Sequence, residues 1–250
     1  MTVLGYRIPM MFSLLAWFVV WEIVGQLDLT ILIPPFSGVI AAGITMLPSQ
    51  KFHDAITITM TAFLAGMGLS LLVGIPLGIL MGRVKAIGQL MGMWVNIFES
   101  SPLTAVIPVL MALLGFGQAT IITTVFLFSV WVIALDVQVG AKHANASLLE
   151  MGRSFGASRF ALYTKILFFA ALPEILAGVR LGLIRGVKGV VIGQLLVAIV
   201  GVGELFELYS RNFLMEEFWA LVIMVFAFAF AISETVAYVE RRIEYYASTR

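Results

Sequence analysis

Long apolar runs separated by short polar interruptions organise this chain. Several of them approach or exceed the about 20 residues that a helix needs to cross a bilayer. The first runs from Met10 to Leu27 and contains Trp17, Trp21 and the carboxylate of Glu22. Arg7 precedes it, but it ends in Gly-Gln-Leu-Asp without a small-residue cleavage site, so it is read as a retained span. Residues 28–54 are too broken to cross; Pro34-Pro35-Phe36-Ser37 predicts a turn and a short helix with Ser37 as N-cap. The second span, Ile56 to Met81, carries Gly66, Ser70, Gly74, Gly78 and Gly82 at every fourth residue, which permits close helix approach in lipid. Pro76 is expected to kink it.

The third span, Ile87 to Leu114, is broken near its middle by Glu99-Ser100-Ser101-Pro102, with Pro108 beyond. Backbone freed at membrane depth must find partners in protein or water, so this segment is expected to face the bundle interior. A Gly115-Phe116-Gly117 turn leads to the fourth span, Ala119 to Val139, which includes Asp136. The fifth, Leu172 to Val200, carries Gly178, Gly182, Gly186, Gly189 and Gly193 together with Arg180, Arg185 and Lys188. A polar connection, Gly201 to Glu217, precedes the sixth, Phe218 to Val239. The expectation is an all-α membrane protein of six transmembrane helices. Its parts are an N-terminal span with an outer segment (1–54), a transmembrane domain (55–245) with a loop at 146–173, and a tail (246–250).

Composition agrees with this. Hydrophobic residues make up 61% of the chain and charged residues 12%, too little polar surface to cover a soluble core. The net charge of +1 indicates neither nucleic acid nor an acidic partner. Without cysteine there are no disulfides, iron–sulfur clusters or thiol chemistry. Arg83, Lys85, Lys142, Arg153, Arg159, Lys165, Arg241 and Arg242 fall on the side of the termini, against Lys51 and Arg211 opposite. The excess marks the cytoplasm, so both termini and the 146–173 loop are placed there.

That loop is the longest stretch between spans that is clearly not itself spanning. It has a turn around Phe155-Gly156-Ala157 with amphipathic sequence on either side. From Glu150 to Arg159 it resembles the EAA loop of permease subunits in bacterial ABC importers. That pattern is Glu-Ala-Ala, three residues, Gly, then about nine residues before Ile-x-Leu-Pro. Glu150, Gly156 and Ile166 match; Met151 and Gly152 replace the alanines, and Phe168-Phe169 stand in place of Leu-Pro. Gly74-Ile75-Pro76-Leu77-Gly78, the Pro102-Leu103 to Ile107-Pro108 segment and Ala170 to Leu181 resemble the nitrate/sulfonate/taurine branch.

The resemblance implies a type I importer permease, a homodimer working by alternating access with two nucleotide-binding ATPase subunits that bind ATP and Mg. It also implies a periplasmic or lipid-anchored solute-binding protein and a bacterial inner-membrane location. The loop would form a coupling helix seated on the ATPase through Leu148, Leu149, Glu150, Met151, Arg153, Phe155, Gly156 and Arg159. Residues 146–157 would contact the motor and 158–173 would carry the movement into the fifth span.

Other chemistry is missing from the sequence. No G-x-x-x-x-G-K-[ST] occurs, so the chain has no P-loop and no enzyme activity of its own is expected. His53 and His143 lie on opposite sides of the membrane and cannot share a metal, and no cofactor is expected. Glu99, Asp136 and Glu234 show no paired spacing for acid–base work.

Charges inside spans are costly and face a cavity or a partner. Arg185 and Lys188, three residues apart, share one side of a helix. They either attract an anionic solute or pair with Asp136 or Glu99 to hold spans in register. The expected solute is small; these cations favour an anion, and the resemblance implies one of the sulfonate, nitrate or taurine kind. The rival readings are an ion-gradient-driven transporter or channel using Glu99, Asp136, Arg185 and Lys188 as a relay, and a scaffold subunit that moves no solute.

Overall fold

The computed structural model of the chain describes residues 2–3, 6–7, 10–197 and 200–248. A short antiparallel pair, β1 (Thr2–Val3) and β2 (Tyr6–Arg7), precedes α1 (Met10–Gln26) and α2 (Phe36–Met46). Then follow α3 (Gln50–Arg83), α4 (Lys85–Ser100), a 3-10 turn (Leu103–Val106), α5 (Ile107–Leu114) and α6 (Gln118–His143). The loop region holds α7 (Ala146–Ser154), α8 (Arg159–Ala161), a π-helical turn (Leu162–Leu167) and α9 (Phe168–Ala170). The chain continues through α10 (Leu172–Val197), α11 (Val202–Arg211) and α12 (Met215–Ser248).

Helices α3, α6 and α12 are each long and apolar enough to cross a membrane. The expected third and fifth spans are bent pairs. Helix α4 meets the Leu103–Leu114 segment at 94°, and Arg159–Ala170 meets α10 at 72°. Counting each pair as one span gives up to five among the described residues, so the sixth of the expected set rests on α1. At 17 residues α1 lies at the short end of the spanning range. The break in the third span falls at Ser101-Pro102, as the sequence indicates, because the residue before a proline leaves the helical region. The right angle there depends on packing and has no sequence signal.

Helix α6 is the centre of the bundle. In its most apolar window 56% is buried, against 33% in α3 and 17% in α12. Both glycine stripes face it. A Cβ on Gly66 would stand 2.6 Å from Val125 Cβ, one on Gly78 2.6 Å from Ala134 O, and one on Gly182 2.6 Å from Ile133 Cγ1. With only hydrogens there, α3 and α10 close on α6 from two sides, and Ile133, Val125 and Val137 are fully buried between them. Backbone proximity and dispersion hold this seam, since lipid offers no hydrophobic drive between helices. Helix α3 continues through Pro76 without interruption.

Two expectations near the termini are corrected. Ser37 is not the N-cap of α2; Pro35 occupies that place without a side-chain cap. Instead Ser37 donates its amide (2.8 Å) and hydroxyl (2.9 Å) to Glu22, so the carboxylate of α1 satisfies the open end of α2. The 201–217 connection is no polar linker, because α11 occupies its middle and buries Leu205 and Phe206 against α2, α3 and α12. Its apolar residues at i, i+3 and i+4 form one face, masked in the sequence by Glu204, Glu207 and Arg211 on the other. The expected end of the fifth span includes residues 198–199, outside the described residues.

Candidate functional site

Helix α7 is a self-contained unit. Asn145 Oδ1 accepts the Ser147 amide at 2.9 Å, capping its start. At its end Gly156 takes φ +76°, a left-handed conformation that glycine enters without a Cβ penalty. The Gly156 amide donates to Arg153 O (2.9 Å) and the Ala157 amide to Gly152 O (3.0 Å). This is a Schellman motif, which satisfies carbonyls that the last turn leaves open. Ser158 Oγ then accepts the Ala161 amide at 3.2 Å and starts the next helix.

Gly152 makes the second contact of the loop. A Cβ there would collide with Ile166 Cδ1 and Leu162 Cδ2, so α7 rests on the π-helical turn through a bare backbone. Gly152 and Ile166, one a departure from the loop pattern and the other a match, therefore form a single contact. The sequence reading missed this, although the fourteen-residue spacing between them was its signal. On the outer side Leu148, Met151 and Phe155 are exposed, Phe155 by 85%. Glu150, Arg153 and Arg159 are exposed as well, and Leu149 is half-buried. Leu149, Arg153 and Arg159 line a cavity of about 460 Å³ with Arg83, Leu162, Tyr163 and Leu167. Arg83 Nη2 donates to Ala144 O at 3.2 Å, tying the end of α3 to the start of the loop.

The intramembrane charges lie elsewhere. Arg185 Nη1 sits 2.5 Å from Glu99 Oε2, joining α10 to the last turn of α4 just before its bend. Glu99 Oε1 and Asp136 Oδ2 are buried without a hydrogen-bond partner. Asp136 packs its Cβ over Gly178 of α10 and lies in the electrostatic field of both Arg185 and Glu99. Phe98 of α4 and Trp131 of α6 stack with ring centroids 4.5 Å apart. Lys188 is exposed and makes no hydrogen bond or ion pair to the described residues. Glu99, Asp136 and Arg185 are thus brought together, while Lys188 stands apart from them.

A third polar cluster had no counterpart in the sequence reading. Gln194, 1% exposed, lies 3.0 Å from Thr59 Oγ1, which also accepts the Val202 amide at 3.1 Å. It locks α3, α10 and the start of α11 together. A buried glutamine next to the last glycine of a stripe was the available signal. Among the described residues no group of three or more His, Cys, Asp or Glu side chains gathers to hold a metal.

Residues 74–245 match the model of the family described as binding-protein-dependent transport system inner membrane component. The chain belongs to that family. It is an ABC importer permease subunit, the assignment to which the loop motif pointed. This permease is 25% identical over 231 residues to the taurine transport system permease protein TauC of Escherichia coli K12, covering 90% of this chain and 84% of TauC. It is 30% identical over 147 residues to the glycine betaine/carnitine/choline transport system permease protein OpuCD of Bacillus subtilis 168, covering 59% and 62% of the two chains. A solved chain from the inward-facing MetNI methionine ABC transporter superposes on the permease with a TM-score of 0.63. That superposition covers 75% of this chain and 94% of the other, at 20% identity, a likeness of fold.

Proposed function

We propose that this permease forms the solute pathway of an importer driven by ATP on separate nucleotide-binding subunits, which bind ATP and Mg. Helix α7 and its C-terminal turn are the coupling element. The observation that carries this is the form of α7. It is capped at both ends, fixed to the chain behind it at Gly152, and exposes Leu148, Met151 and Phe155 to solution. An exposed apolar face on a pre-formed helix is what helix-in-groove docking requires. Glu150 stands ready to pair with a charge on the motor, and residues 158–173 carry its movement into α10.

The assembly is a permease homodimer with two ATPase subunits and an external solute-binding protein, in the inner membrane with both termini cytoplasmic. The solute is a small sulfonate-like molecule. Support comes from the TauC relationship. Reconstitution with an ATPase and a binding protein tests the reading. ATP-dependent uptake of a small sulfonate, lost on replacing Glu150 or Gly156, is the expected result. Uptake by the chain alone under an ion gradient would overturn it.

A further inference from the structure

The cavity behind α7 is built from cations. Arg83 reaches it from the end of α3, Arg153 from α7, and Arg159 from the chain after the turn, with Tyr163 and three leucines completing the lining. Among the described residues no carboxylate lines it. Arg153 and Arg159 make no ion pair or hydrogen bond to the described residues, and the Nε of Arg83 is buried without an acceptor. Three guanidinium groups gathered around one space repel one another, and a buried donor without a partner costs free energy. Both costs vanish if one ligand supplies negative charge and several acceptor oxygens.

We propose that this cavity is an oxyanion site that holds a phosphate group. Guanidinium forks match tetrahedral oxyanions through paired N–H donors, which lysine cannot reproduce. The cavity of about 460 Å³ admits such a group with room for its substituents. Arg83 closes a membrane-spanning helix, so the site lies at the depth of the cytoplasmic headgroups, where basic pockets between helices take lipid phosphates. The same chemistry admits free inorganic phosphate. Either occupant bridges α3 to the 146–167 segment and braces the loop against the bundle. This face is distinct from the one carrying Leu148, Met151 and Phe155, because Leu149 and Arg153 are spaced i, i+4 on another side of α7.

The test uses the full chain in neutral detergent and phosphate-free buffer. Inorganic phosphate is titrated by calorimetry. In parallel, protein from nanodiscs of phosphatidylglycerol in phosphatidylcholine is stripped of bulk lipid, and retained phosphatidylglycerol is counted by native mass spectrometry. The wild type is expected to hold a phosphate group at least tenfold more tightly than the Arg153→Gln/Arg159→Gln variant. Both replaced side chains are exposed, so that variant should keep its thermal midpoint, and the Lys/Lys version should recover binding only in part. Retained phosphatidylglycerol without phosphate binding supports the site with a lipid occupant; phosphate binding without lipid supports it with a free one. If neither probe separates wild type from variant, the proposal is overturned. Loss of ATPase copurification alongside that result assigns the arginines to docking.

Discussion

The seam along α6 and the loop around α7 both use glycine, to opposite ends. Against α6, Gly66 and Gly78 of α3 and Gly182 of α10 give away side chains so that three helices close on one another, leaving no room for an added carbon. At Gly156 an added carbon would meet nothing within 4 Å, and glycine is selected by its φ of +76° alone. The first use makes a rigid body, since its helices have nowhere to yield. The second makes a hinge-like turn that depends on one backbone conformation and hardly on its neighbours. The coupling proposed for this subunit requires both: an element that can be gripped and a block that moves without deforming.

This contrast can be broken first at the seam. Gly78→Leu forces a side chain into the 2.6 Å approach between α3 and Ala134 O, and should cost about 3 kcal/mol through overpacking. A lowered midpoint of thermal unfolding in detergent would register it. Gly68→Ala, on the same helix but with nothing within 4 Å, serves as the control and should shift stability by less than about 1 kcal/mol. If both substitutions acted alike, the seam would not be the rigid part.

Next in size is the ion pair across α4 and α10. Arg185→Gln leaves Glu99, whose side chain is 17% exposed, without its cation. The cost should fall at about 1–3 kcal/mol, below that of a fully buried pair because the Arg185 side chain is 41% exposed. Adding Glu99→Gln should restore much of it. A double-mutant cycle showing strict additivity would dissolve the pair.

At the loop the expected effects are smaller and local. Gly156→Val places a branched side chain at positive φ and should cost about 1–2 kcal/mol. The loss should appear as faster amide exchange in α7 while the α6 amides stay protected. Phe155→Ala should change the stability of the chain by no more than about 0.5 kcal/mol, since Phe155 is 85% exposed. It should nevertheless weaken copurification of an ATPase subunit. Stability lost together with copurification would mean that Phe155 belongs to the packed body of the chain.

Features governed by one segment were legible before the structure. Helices α3, α6 and α12 follow from unbroken apolar length, the turn at Gly156 from the glycine itself, and the break before Pro102 from proline sterics. What stayed hidden depended on two segments meeting. Arg185 had two candidate partners, and only the bend that brings the end of α4 across α10 selects Glu99. Gly152 looked like a departure from a pattern until Ile166 was found against it. Helix α11 read as a linker because its apolar face is short and interrupted by charges. The Gln194–Thr59 contact joins residues 135 positions apart, beyond any local period.

The 72° elbow at Ala171, fully buried where α9 gives way to α10, has a mechanical consequence. Two rods meeting near a right angle do not pass thrust along a common axis. A shove along the loop arm emerges mostly as a sideways swing of the head of α10. Because the glycine seam fastens α10 to α6, that swing must carry both helices as one piece. On the proposed coupling, the loop would work as a crank and not as a piston.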